Sequence, residues 1–82
     1  MLDSKYQLGE FVRVKRNKTA AKYFQNKMVE TVLGLKKTDF DEIAETVFQI
    51  VNMNCNGKVL YICKDRNSHV ITVPESLIEF VY

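Results

Sequence analysis

The residue types that most often carry chemistry are scarce in this 82-residue chain: one histidine, two cysteines and a short run of carboxylates. His69 could serve as a general base or a metal ligand, but no carboxylate or cysteine pattern surrounds it in the sequence, and it reads more simply as a strand residue at the surface. Cys55 and Cys63 have neither the CxxC nor the Cys–His spacing of a zinc site. As nucleophiles they would need a base such as His69 beside them; Cys63 reads instead as a small core hydrophobe and Cys55 as a residue flanking a turn. Asp39, Asp41, Glu42 and Glu45 form an acidic cluster without the glycine or the D-x-D-x-D-G spacing of a calcium loop. A paired-carboxylate hydrolase needs a larger cleft than so short a chain encloses. Gly9, Gly34 and Gly57 are isolated, so no glycine-rich phosphate loop exists. The expectation is a protein with no catalytic residues, no metal and no cofactor.

One constellation does suggest binding. Arg13, Lys15, Arg16, Lys18, Lys22 and Lys27 are interleaved with Phe11, Tyr23 and Phe24. Small β-domains bind nucleic acid with basic strands and aromatic stacking platforms. Nine of the twelve lysines and arginines precede residue 39, and seven of the ten carboxylates follow residue 38. The plainer account is an edge strand blunted by cations, on a fold whose two halves complement each other in charge. The candidate binding residues are Arg13, Lys15, Arg16, Lys18, Tyr23 and Tyr61. Tyr23 is the expected stacking partner because its hydroxyl tolerates solvent better than the Phe24 ring.

These residues must be positioned by a compact frame. A composition 46% hydrophobic and 27% charged is that of a globular chain. At this length it buries only roughly 60–65% of its unfolded surface. No apolar run approaches the ~18–20 residues of a membrane span, and residues 1–5 lack the apolar core of a secretory signal. The expectation is one domain, residues 1–82, in the cytoplasm with free thiols.

Val12 and Val14 alternate with Arg13 and Lys15 behind Gly9, which predicts a first strand over 10–16. Residues 17–37 fit two readings. In one, Asn17 or Thr19 caps a helix that ends at Gly34. In the other, a helical turn at 19–26 precedes a strand from Met28 to Lys36, favoured by the strand formers of Val29-Glu30-Thr31-Val32. Asp39-Phe40-Asp41-Glu42 has the form of a capping box for a helical turn at 40–45. Thr46–Met53 and Val59–Cys63 are rich in β-branched and aromatic residues around Asn56-Gly57, which predicts a hairpin with a two-residue type I′ turn. That register pairs Met53 with Leu60, Val51 with Ile62 and Ile50 with Cys63. It separates the two cysteines too far for a disulfide, and it leaves apolar side chains on both hairpin faces. Residues 65–68 read as a turn and 69–73 as a strand. Pro74-Glu75-Ser76-Leu77 reads as a 3₁₀ turn, and Ile78–Val81 as a last strand.

The Val73-Pro74-Glu75-Ser76-Leu77 turn followed by Ile78-Glu79-Phe80-Val81 resembles the end of an SH3-like barrel. The opening Leu8-Gly9-Glu10-Phe11-Val12-Arg13-Val14 resembles the first strand of many bacterial and phage members. The resemblance covers roughly residues 7–16 and 46–81 and implies a mainly β, SH3-like, five-stranded small barrel with a short helical insertion after strand one. SH3 domains that read proline-rich peptides have a groove tryptophan and an acidic loop. This chain has no tryptophan, and residues 17–27 are basic, so the resemblance implies the barrel without PxxP recognition. The expected function is a non-catalytic module that binds another protein, as an adaptor, inhibitor or regulatory subunit. The alternative is nucleic-acid binding through the basic N-terminal half, and no membrane partner is expected.

Overall fold

The computed structural model of this chain describes residues 4–25 and 27–81. The first strand, β1 (Phe11–Val14), forms as its alternation predicts: Val12 and Val14 are buried while Phe11 and Arg13 face out. Helix α1 (Lys18–Phe24) follows. Asn17 is its cap, and the Asn17 Oδ1 accepts the Ala20 N–H at 2.8 Å, which satisfies one of the orphan donors of the first turn. Ala20 and Phe24, one turn apart, are the two residues this helix buries. Burying a phenylalanine contributes roughly 2–3 kcal/mol, so Phe24→Ala is the substitution that would undock α1.

The segment after α1 is not one strand. It is a hairpin of β2 (Met28–Thr31) and β3 (Gly34–Lys37), with Thr31 opposite Gly34. The Thr31 hydroxyl accepts the Leu33 N–H at 3.1 Å and donates to the Gly34 carbonyl at 2.7 Å. Gly34 takes φ +115°, which a side chain would resist. Threonine at one end and glycine at the other therefore close a turn in the middle of a run that looks like an uninterrupted strand.

Helix α2 (Phe40–Glu45) lies where the acidic run predicts it. Asp39 occupies the cap position by backbone alone, and its side chain makes no capping bond, so the capping box does not form. Strands β4 (Phe48–Asn54) and β5 (Leu60–Lys64) make the central hairpin, with two corrections. The loop spans residues 55–59 rather than two residues, and only Gly57, at φ +88°, has the left-handed conformation. The Asn54 carboxamide captures the Asn56 N–H at 3.0 Å and starts the turn early, which displaces the type I′ geometry. Near the loop the register is then one residue off the sequence expectation, with Asn54 opposite Leu60 and Met53 opposite Tyr61. A bulge between Ile50 and Asn52 leaves Val51 unpaired and restores the expected Ile50–Cys63 pair.

Strand β6 (Val70–Pro74), a 3₁₀ turn (Glu75–Leu77) and β7 (Ile78–Phe80) complete the chain in the order the sequence predicts. All pairings are antiparallel, and the seven strands run β3-β2-β6-β5-β4-β1-β7. The five-stranded barrel is not what forms. The β2–β3 hairpin adds two strands at one end, joined to β6 through the single Glu30–Val70 bridge. β7 pairs with β1 at the other end, so β3 and β7 are separate edges and the sheet is not closed. The core lies inside the curl of the sheet, where Val12, Phe48, Ile50, Tyr61, Cys63 and Val73 meet the buried faces of both helices.

The N-terminal segment is pinned across that core. Tyr6 is buried and packs edge-on against Tyr61, with ring centroids 5.6 Å apart, and against Phe80 at 4.7 Å. The Tyr61 hydroxyl donates to Glu75 Oε2 at 2.6 Å and accepts the Tyr6 N–H at 3.1 Å. Burial, and then the bond to the Glu75 carboxylate, push the Tyr61 phenol up to about 12.

Candidate functional site

The most prominent surface feature is the β2–β3 hairpin. Only Val29 of this ribbon is buried, and Val32 and Leu33 at the tip are 79% and 97% exposed. Met28 and Leu35 are exposed as well. The pairing Glu30–Leu35, flanked by Met28–Lys37, puts Met28 and Leu35 on one face of the ribbon. That face and the end of α1 border a groove of about 510 Å³, to which Tyr23, Leu60 and Val70 contribute. Lys27, Lys58 and Glu30 also line it, so its charged rim is cationic in balance. The Tyr23 hydroxyl donates to the Thr72 carbonyl at 3.1 Å, and the Lys27 ammonium lies 4.8 Å from the Tyr23 ring centroid. Burial raises the Tyr23 phenol above its ordinary value.

A second exposed apolar area lies on the outward face of β1, β4 and β5. Phe11 stands opposite Gln49, and Gln49 opposite Lys64, so the three form one row across three strands. Val47, Val51 and Arg66 complete a shallow concavity of about 460 Å³. Phe11, Val47 and Val51 are all exposed.

The six residues expected to bind do not make one surface. Arg13 is exposed on β1, opposite Glu79 on β7. Lys15 is half-buried, and its N–H bonds the Leu77 carbonyl. Arg16 turns to α2, where its guanidinium lies 3.4 Å from both Asp41 and Glu45. Lys18 is exposed at the first turn of α1. Tyr23 belongs to the groove, and Tyr61 is 0% exposed and has no face to offer a partner. The sequence reading names Phe11 beside the basic residues but does not place it among the six binding candidates; the structure leaves its ring exposed. The signal was present in the alternation that puts Phe11 on the side of Arg13, away from Val12 and Val14.

His69 is not without a carboxylate. Its Nδ1 lies 3.2 Å from Asp65 Oδ2, while Asp65 Oδ1 accepts the N–H groups of Asn67 and His69. The Asp65 side chain is only 6% exposed, so it organises the turn that leads into β6. The imidazole lines a concavity of about 290 Å³ with Glu42, Glu45 and Thr46. The thiols lie elsewhere: Cys55 is exposed in the β4–β5 loop, and Cys63 is buried, its thiol pushed up to about 12 by that burial. Among the described residues no three His, Cys, Asp or Glu side chains are grouped to hold a metal ion. No helix among them is long and apolar enough to cross a membrane.

Comparison with protein-family models, curated proteins and solved structures gave no match. Among the described residues the fold is small and mainly β, built on one open antiparallel sheet of seven strands.

Proposed function

We propose that this chain is a non-catalytic module that binds another protein through the β2–β3 hairpin and the groove beside it. The observation that carries this reading is the exposure of Met28, Val32, Leu33 and Leu35 on one ten-residue ribbon. Clustered exposed apolar side chains on a small soluble fold mark contact surfaces. Edge strand β3 adds unpaired backbone groups that an extended segment could extend the sheet with. Lys36 and Lys37 on that strand, with Lys27 and Lys58 at the groove, favour a partner segment that combines apolar side chains with carboxylates. Adaptor, inhibitor and regulatory roles all fit such a surface. The β6–3₁₀–β7 ending, with β7 paired to β1, supports affiliation with bacterial or phage SH3-like domains. The unpaired cysteines support a cytoplasmic setting.

The test is affinity capture from the native host's lysate with the wild type and a Leu33→Ser/Leu35→Ser variant, each with and without nuclease. Both leucines are exposed, so the variant keeps its fold and melting temperature. Proteins retained by the wild type after nuclease treatment and lost by the variant support the proposal. Equal capture by both refutes it.

A further inference from the structure

The geometry points to a second binding surface, and we propose that the outward face of β1, β4 and β5 binds single-stranded nucleic acid, with a base stacked on Phe11 and the backbone phosphates held by Arg13, Lys64 and Arg66. The proposal is independent of the hairpin reading.

Phe11 is a large aromatic ring, 55% exposed, standing on a sheet face instead of in the core. It is held there by pairing on one side only at its own position, to Gln49, while its neighbours Val12 and Val14 anchor the strand inside. An aromatic ring on a rigid strand is a stacking platform that loses little entropy when a base covers it. Three cations surround it on different elements. Arg13 is two residues along β1 on the same face, Lys64 ends the Phe11–Gln49–Lys64 row, and Arg66 follows in the next turn. None of the three takes part in an ion pair among the described residues. Gln49 donates through Nε2 to the Gly9 carbonyl at 3.1 Å, which leaves its Oε1 to accept from a base edge.

The two nearby carboxylates, Asp65 and Glu79, are outnumbered by the three cations. Asp65 lines the same concavity, but its oxygens are taken up by His69 and by two backbone N–H groups. Glu79 bounds the surface opposite Arg13. Lys64 and Arg66 sit beside the apolar residues of the concavity, the combination of cations and an aromatic ring that a phosphate-bearing single strand requires. A duplex hides the faces of its bases and would leave the Phe11 ring idle, so the surface is suited to a single strand. This set of cations differs from the one expected from sequence: Arg16 is engaged by α2, whereas Lys64 and Arg66 come from the acidic half of the chain.

The experiment is fluorescence anisotropy with labelled oligothymidylate of about ten nucleotides, a length within the span of small β-domains, against a duplex of equal length. The expected result is saturable binding of the single strand at low salt, tighter than of the duplex. Phe11→Ala should weaken it roughly fivefold to a hundredfold, and Phe11→Tyr should preserve it. Lys64→Gln and Arg66→Gln should each weaken binding and flatten the dependence of log affinity on log salt by about 0.7. Glu79→Gln should tighten it. Leu33→Ser should leave it unchanged, so that failure here and failure of the hairpin reading are read separately. Binding no tighter than millimolar, equal affinity of Phe11→Ala and wild type, or a duplex bound as tightly as the single strand overturns the proposal. Capture of a protein through Phe11 with no oligonucleotide binding also overturns it and assigns the face to a protein. Phe11 is exposed, so circular dichroism of each variant should match the wild type, and Phe11→Leu, which keeps apolar bulk without an aromatic face and should also weaken binding, keeps the test decisive if Phe11→Ala is destabilised.

Discussion

Tyr61→Phe removes one oxygen from the point where the N-terminal segment, β5 and the 3₁₀ turn meet. The ring volume stays, so no large cavity opens and the packing of Tyr6 on Tyr61 survives. What is lost is a charge-assisted hydrogen bond to Glu75 and the acceptor for the buried Tyr6 N–H. A hydrogen bond to a charged group contributes about 1.5–3 kcal/mol, and an orphaned buried donor costs about 1–3 kcal/mol. The two overlap, because Tyr6 can shift toward water at the cost of its own bond to the Ile78 carbonyl. The expected loss is about 2–3 kcal/mol, which lowers the melting temperature of a domain this size by roughly 10–20 °C. The pH dependence is the sharper signature. The Tyr61 hydroxyl, and then the Lys5 N–H, hold the Glu75 carboxyl below its ordinary value. The unfolded chain therefore takes up that proton at a higher pH than the folded one. The stabilisation is complete above the unfolded carboxyl value of about 4.3 and fades as pH falls through the folded one. The gap in stability between wild type and variant should be widest near neutrality and narrow in acid. It should narrow again in alkali above the unfolded phenol's ordinary value of about 10, because the unfolded chain ionises there while the folded phenol, raised to about 12, still holds its proton. Urea melts of both proteins from acid to neutral pH measure this. A gap below about 0.5 kcal/mol at neutrality, or one that stays constant into acid, would falsify the hydrogen-bond account.

Thiol titration of the native protein should find one fast equivalent, Cys55, with Cys63 reacting only on unfolding, because burial pushes its thiol to about 12; two fast equivalents would contradict the packing of β5. Gly57→Val should cost about 1–2 kcal/mol, from the left-handed backbone, because a Cβ there meets nothing within 4 Å. Gly57→Asn should cost clearly less, and equal melting temperatures for the two would show that the conformation is not the cause. Asp65→Ala should lose about 1–3 kcal/mol by freeing two turn N–H groups and the His69 ring, and a variant that melts with the wild type would remove Asp65 from its organising role.

Much of the fold was legible in the sequence, and the legible parts share a cause. Val12 and Val14 announce β1 because a strand's period of two is local, and Asn17 announces α1 because a cap acts within three residues. The strand–3₁₀–strand ending was readable because Pro74 restricts its own backbone. The separation of the cysteines and the Ile50–Cys63 pair followed from the hairpin, even though its loop was longer than expected. The turn within 28–37 was missed because Thr31 and Gly34 each look ordinary alone, and only their mutual hydrogen bond breaks the strand.

The candidate surfaces were less legible. Periodicity shows which residues alternate, but it does not show which neighbour lies across the sheet. Lys64 and Arg66 share a surface with Phe11 only because β5 pairs with β4 and β4 with β1. Arg16 is withdrawn from the basic set because α2 folds back within reach of its guanidinium. Tyr61 is buried because Tyr6, fifty-five residues earlier, closes over it. Whether the sheet closes into a barrel is likewise decided by pairings distant in the chain. The sequence by itself determined the local backbone, since caps, turns and alternation act over a few residues. The tertiary structure alone decided which side chains share a surface, because that depends on long-range strand pairing whose energy is a sum over many weak contacts and is carried by no single residue.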